Sequence, residues 1–184
     1  MNKELQRERH GKVNAFLSKN EVPIMEWCES HGLKCRDDED KPYVLAEAVG
    51  RILVMKALKN VSGDTCVRQM PIDSNYDMET SEGMHIEVKM KYNDSDEYPT
   101  DDITLHKGEL NYQFSSNTQV IIPFYDGTVR CYDMFKPYRT DLTWDKHRRT
   151  VVDSPIITES KMTYRPEDVI WETTITMPDW GSAL

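Results

Sequence analysis

The sequence lacks the features that define several large classes of proteins. None of its apolar runs approaches the roughly 18 consecutive residues that a transmembrane helix requires. The N-terminal segment MNKELQRERHGK is charged and has no apolar stretch typical of a secretory signal. The four cysteines have no CxxC spacing, so neither a zinc site nor a disulfide framework is expected in a chain of 184 residues. We therefore expect a soluble, cytoplasmic protein with reduced cysteines and no membrane partner.

Glycine is scarce, and positive charge is not in excess. With eight glycines, the chain contains no glycine-rich loop that would cradle a phosphate, so no nucleotide cofactor is expected. The formal net charge is −9, whereas non-specific nucleic-acid binders usually carry a basic excess. This balance excludes generalised phosphate attraction but not a nuclease, because a metal site is itself acidic and basic residues can gather on one face.

Three segments have the pattern of helices. Residues 3–19 are polar but compatible with a helix, and a short second helix is predicted from Pro23 to Gly32. The strongest helix is PYVLAEAVGRILVMKALKN, in which apolar residues recur at helical spacing. Its expected buried stripe contains Leu45, Ala48, Ile52 and Met55. A charged loop, RDDEDK, separates an N-terminal helical segment over residues 1–40 from a main domain over residues 41–184.

Several short segments of the main domain have the pattern of strands. ITLHKGELNYQFSS suggests a strand and then a helix with Thr104 as its cap, and Asp126-Gly127 predicts a hairpin. The sequence after Lys136 is predicted to be irregular, apart from one strand. The other predicted strands are CVRQM, SNYDMET, MHIEVKMKY and VIWETTITM. This order predicts an α/β (α+β) fold with a mixed sheet flanked by helices.

A candidate active site lies on two of these strands. Glu87 and Lys89 are two residues apart, so their side chains project from the same face. The turn Ser81-Glu82-Gly83 would bring Asp77 alongside them. Asp77, Glu87 and the main-chain carbonyl of Val88 form an all-oxygen set suited to Mg²⁺, with Mn²⁺ as a substitute. Lys89 would orient or deprotonate the attacking water, or hold a scissile phosphate.

The run YDMETSEGMHIEVKMK resembles the core motif of the PD-(D/E)XK nuclease superfamily, which includes restriction endonucleases and Holliday-junction resolvases. It contains Asp77, nine intervening residues and then Glu87-Val88-Lys89. The proline that usually precedes the aspartate is Tyr76 here. Glu47 stands where the family has a glutamate on a helix before the sheet, and ITLHKGELNYQF resembles the segment after the lysine strand. The resemblance covers roughly residues 43–135.

The resemblance implies a restriction-endonuclease-like core and a metal-dependent endonuclease that hydrolyses DNA in defence, repair or recombination. It implies Asp77, Glu87 and Val88 as metal ligands, with Lys89 and Glu47 completing the catalytic set. Since cutting both strands needs two sites, we expect a homodimer. Candidate DNA contacts are the basic residues Lys91, Lys107, Arg148 and Arg149.

Each of these features also has a simpler interpretation. Glu87 and Lys89 would then be a solvated strand edge, and Glu47 an exposed helix residue paired with Arg51. A second function is a catalytically inactive, nuclease-fold binding protein, such as an acidic inhibitor that imitates DNA, with charge supplied by RDDEDK and NDSDEYPTDD. A third is a structural subunit that docks through its N-terminal helices.

Overall fold

A computed structural model of the chain describes residues 3–35, 38–39, 41–71, 74–91, 94–96, 100–106, 117–142, 144–145, 150–151 and 159–176. Within these ranges there are three helices, eleven strands and a short 3₁₀ turn at Pro166–Asp168. The helices are α1 (Lys3–Lys19), α2 (Glu21–Ser30) and α3 (Lys41–Ser62). The strands are β1 (Arg68–Gln69), β2 (Met78–Glu79), β3 (His85–Val88), β4 (Asp101–His106), β5 (Thr118–Pro123), β6 (Thr128–Asp133), β7 (Arg139–Asp141), β8 (Trp144–Asp145), β9 (Thr150–Val151), β10 (Glu159–Tyr164) and β11 (Trp171–Thr174).

The main sheet has six strands in the order β1-β2-β3-β5-β6-β11. β3 and β5 are parallel, and every other neighbouring pair in this sheet is antiparallel. A second sheet has the order β4-β10-β7, and β8 pairs with β9. The prediction of an α+β fold with a mixed sheet is therefore confirmed.

The helix α3 packs against the sheet and is buried over most of its circumference. Leu45, Ala48 and Ile52 of the predicted stripe are buried. Val49 and Leu53 are also buried, because α1 and α2 cover the helix from another side and join the same core. A Cβ atom on Gly50 would lie 3.2 Å from Val88 Cγ1, so the glycine allows α3 to approach β3 closely.

Apolar residues cover both faces of the six-stranded sheet, because alternate residues of its strands enter two different cores. Ile121 of β5 belongs to the core under α3. Its neighbours Val120 and Ile122 pack instead against Leu105 of β4 and Met162 of β10. The sheet thus lies between α3 and the second sheet. A polar side chain buried on either face needs a hydrogen-bonding or charged partner to offset the cost of its burial.

Both predicted turns are present. Thr80 donates its N–H to Met84 O at 2.9 Å across the Ser81–Gly83 turn, and Gly83 has a φ of +79°. Gly127 has a φ of +89° and closes the β5–β6 hairpin by donating to Phe124 O at 3.0 Å. Both glycines adopt the left-handed conformation that side chains disfavour.

Two local predictions are wrong. Thr104 is not a helix cap but lies in the middle of β4, opposite Lys161. The segment after Lys136 is not irregular apart from one strand, since it also forms β7 and the six-residue β10. The second helix, expected to begin around Pro23, begins at Glu21 and has Pro23 in its first turn. The helix expected after β4, in residues 107–116, lies outside the described residues. In the described part of the chain, no helix is long and apolar enough to cross a membrane.

Candidate active site

Asp77 lies immediately before β2 and directly beside β3. Its N–H donates to Ile86 O at 2.9 Å, and its carbonyl accepts from Met70 N at 2.9 Å. Met78 also pairs with Ile86, so Asp77 and Met78 both lie beside this residue and the regular register ends at Met78. Asp77 is therefore next to β3, at the residue that precedes Glu87.

Two donors hold the Asp77 carboxylate. The Val88 N–H donates to Oδ2 at 2.6 Å, and Arg51 Nη2 donates to Oδ1 at 2.9 Å. Because an extended residue presents its N–H and its carbonyl to the same side, the Val88 carbonyl is expected at this edge as well. The Asp77 side chain is thus fixed before any ligand binds.

Glu47 reaches the same edge from α3. Arg51 Nη2 also donates to Glu47 Oε1, at 2.5 Å, so one guanidinium nitrogen joins both carboxylates. Burial raises the pKa of Glu47, and the charge of Asp77 raises it further, whereas Arg51 and Lys89 act in the opposite direction. The expected i, i+4 pair of Glu47 with Arg51 is present, but it is not an exposed surface pair, because Glu47 is half-buried and the Arg51 side chain is completely buried.

Glu87 and Lys89 form a partly buried ion pair. Lys89 Nζ lies 2.5 Å from Glu87 Oε1, and the two side chains are 26% and 4% exposed. Glu87 is opposite Val120, whose side chain lies in the core between the two sheets. The interpretation of this pair as a solvated strand edge is therefore wrong for Glu87, which is buried, while Lys89 remains partly exposed.

Of the four candidate DNA contacts, the structure describes only Lys91. Lys91 turns inward, and its ammonium group donates a hydrogen bond to the main-chain carbonyl of Asp102. Burial lowers the pKa of Lys91. Its placement gives no support to the predicted contact with DNA. Lys107, Arg148 and Arg149 lie outside the described residues.

The two aromatic residues near the motif pack against each other. Tyr76 and His85 stack with ring centroids 3.9 Å apart and an interplanar angle of 11°. Tyr76 also donates its hydroxyl to Glu79 Oε2 at 2.9 Å. The residue that replaces the family's proline therefore braces β2 against β3, next to Asp77.

The donor atoms at this edge suit a hard cation. Among the described residues, no group of three or more His, Cys, Asp and Glu side chains is arranged to hold a metal ion. Mg²⁺ does not require such a group, because it is commonly bound by one or two carboxylates together with waters and substrate phosphates. Asp77 and Glu87, with the Val88 carbonyl, therefore fit this cation by the chemistry of their oxygens.

The sequence predicted Arg51 only as the i, i+4 partner of Glu47. In the structure, Arg51 is the residue that connects Glu47 to Asp77. Besides its two carboxylate partners, its Nη1 donates to Met70 O at 2.6 Å and to Asp77 O at 2.7 Å. A signal was available in the sequence, because Arg51 interrupts the apolar run AVGRILV of a helix that was expected to be buried. A charged residue at such a position usually has a buried partner.

The chain has no match among protein-family models, curated proteins or solved structures. Its function is therefore inferred from the residues and the geometry of the site.

Proposed function

We propose that this chain is a metal-dependent DNA endonuclease with a restriction-endonuclease-like core and a PD-(D/E)XK site. One observation carries the proposal: Arg51 joins Glu47 of α3 to Asp77. The Asp77 carboxylate in turn accepts from the Val88 N–H, and Val88 lies between the ion-paired residues Glu87 and Lys89 in the chain. Charged side chains are costly to bury, so a fold that gathers several of them at one edge has a reason beyond stability.

The order of the elements supports the same proposal. The helix that carries Glu47 precedes the sheet, as the resemblance implies for this superfamily. The three strands that follow it, β1, β2 and β3, are antiparallel to one another. The strand after the motif, β5, is parallel to β3. Parallel neighbours need a long crossover, and the residues between β3 and β5 supply one.

The residues of the site divide the chemistry of phosphodiester hydrolysis among them. Asp77, Glu87 and the Val88 carbonyl would hold Mg²⁺, which when bound lowers the pKa of a water and offsets charge on the phosphate. Lys89 is exposed enough to reach the scissile phosphate or to orient the attacking water. Arg51 and the Val88 N–H keep Asp77 in place. Two such sites in a homodimer would cut both strands of a duplex.

Cleavage of supercoiled plasmid in Mg²⁺ or Mn²⁺ tests this function. Lys89→Ala is expected to lower the initial rate by at least about 100-fold, the lower range for losing an acid–base group. Lys161→Ala is a matched control, because Lys161 is 24% exposed, about as much as Lys89, and its ion-pair partner is Asp102 of β4 at 2.8 Å. Equal rates for the wild type and Lys89→Ala would contradict the catalytic assignment, and so would an equal loss in both variants.

The net charge of −9 favours the acidic inhibitor as a second candidate. Such a protein would bind a basic nucleic-acid enzyme through its acidic surface, and its affinity would fall steeply with salt. Calorimetry separates the two functions. Mn²⁺ binding that is lost in Asp77→Asn supports the nuclease, whereas no Mn²⁺ binding together with tight binding to a basic partner supports the inhibitor.

A further inference from the structure

Arg51 is a cation that the fold has built into the acidic edge. Its side chain has no exposed surface, and both terminal nitrogens are engaged by the partners described above. A buried guanidinium is costly unless charges and acceptors surround it. Its position is therefore set by the main chain of β1 and β2 as much as by the two carboxylates.

The position of Nη2 is the position that a bridging metal ion would take. Glu47 Oε1 and Asp77 Oδ1 both face this nitrogen, at 2.5 and 2.9 Å. A cation bound to both oxygens at about 2.0–2.1 Å would overlap the nitrogen.

Arg51 is also hard to displace from this position. Nη1 donates to two main-chain carbonyls, Met70 O and Asp77 O. The pairing of β1 with β2 holds those carbonyls, because Met70 N donates to Asp77 O. Moving the guanidinium away would remove one hydrogen-bond donor from each carbonyl and the neighbouring positive charge from both carboxylates, and each such loss is costly in a buried region.

We propose that Arg51 limits the site to a single divalent cation, bound on the Asp77–Glu87 side, and that it excludes Glu47 from direct coordination. This inference rests on the proposed function. Arg51 is then a positioning residue, which fixes Asp77 and fills the side of the site where a second ion would bind. Glu47 then holds the Arg51 guanidinium in place and does not bind the metal, which is held by the carboxylates of Asp77 and Glu87.

Calorimetric titration of the intact chain with MnCl₂ tests the exclusion of Glu47. The wild type is expected to bind one ion at this site. Glu47→Gln keeps an oxygen that can accept from Arg51, so its affinity should change by less than about tenfold, whereas Asp77→Asn should lose more than about 100-fold. Glu79→Gln is a matched control, because Glu79 lies on β2 but pairs with Arg68 at 2.7 Å. A loss in Glu47→Gln as large as that in Asp77→Asn would overturn the inference.

Arg51→Met tests the limit of one ion. Removing the guanidinium frees oxygens of Glu47 and Asp77, so the variant is expected to bind two Mn²⁺ ions. Circular dichroism must show that it is folded, and a folded variant that still binds one ion contradicts the inference. If Arg51→Met does not fold, the Glu47→Gln result decides alone. If the wild type binds no Mn²⁺, or Asp77→Asn binds it normally, the proposed metal site itself is wrong, which is a different failure.

Discussion

Among the residues that the structure describes, two arginine–carboxylate clusters are largely buried, and they differ in what remains available to a ligand. In the first, Arg51 joins Glu47 and Asp77 beside the Glu87–Lys89 pair. In the second, Asp101 of β4 accepts the Tyr132 hydroxyl at 2.5 Å and lies 3.3 Å from Arg130 of β6. Both clusters place a carboxylate against a guanidinium, so an ion pair by itself does not distinguish them.

Their surroundings do distinguish them. Asp101 is buried between the sheets. Arg130 also forms an ion pair with Glu172, with Nε 2.6 Å from Oε2, and its guanidinium lies over the Phe124 ring. This second cluster ties β4 to β6 and has a structural role. In the first cluster, the Glu47 side chain is 30% exposed and Lys89 is also accessible. A cluster becomes a candidate site when its acidic oxygens are held in place and can still be reached from solvent.

The largest expected difference between the clusters concerns the two arginines. Arg51→Met removes the compensation of two carboxylates and should lower the free energy of unfolding by about 3–5 kcal/mol. Arg130→Met should cost less, about 1–3 kcal/mol, because Arg130 is 12% exposed and its partner Glu172 is 48% exposed, whereas the Arg51 side chain has no exposed surface. Urea unfolding of both variants at pH 7 measures this. A larger loss in Arg130→Met would contradict the ranking of the two clusters.

A smaller effect is expected from the hydroxyl of the second cluster. Tyr132→Phe removes a hydrogen bond to a charged carboxylate and should lower the free energy of unfolding by about 1.5–3 kcal/mol. If this cluster is only structural, cleavage by the folded variant should be unchanged. A variant of normal stability, or a folded variant that no longer cleaves, would show that the role given to Tyr132 is wrong.

The smallest effect is a difference in pH dependence. The pKa of Glu47 is raised above 4.5, so between that pH and its raised pKa the folded chain holds a proton that the unfolded chain has released. Stability should therefore fall as pH rises through this window, and Glu47→Gln should remove that slope. Burial and Asp101 also raise the pKa of Tyr132, so its contribution to stability falls as pH rises above 10.

Melting temperatures between pH 4 and 11 test both signs in one series. Glu47→Gln should change only the acidic part of the profile, and Tyr132→Phe only the alkaline part. Parallel profiles for the wild type and Glu47→Gln would mean that the surroundings of Glu47 do not change its proton affinity on folding.

Local patterns predicted much of the fold. The period of α3, the glycines of two turns and the alternation of β3 are set by neighbouring residues, and each of them is present. The strand β10 was missed because ESKMTY has weak alternation and is stabilised by pairing with both β4 and β7. Such pairing joins segments that are distant in the sequence, so no local pattern reports it.

The candidate site divides in the same way. Spacing alone placed Glu87 and Lys89 on one face of a strand, and the short turn placed Asp77 next to them. Spacing did not reveal that Glu87 is buried or that Lys91 turns toward Asp102. It also did not reveal that Arg51 joins Glu47 to Asp77. Alternation separates the two faces of a strand but does not say what packs on either.

The sequence by itself determined which side chains share a face and where the chain turns, because those properties depend on the backbone period and on a few local residues. Only the tertiary structure decided which charges are buried and which remain accessible. Burial, ion pairing and pKa depend on atoms brought together from distant segments, as when α3 delivers Arg51 to the edge formed by β2 and β3.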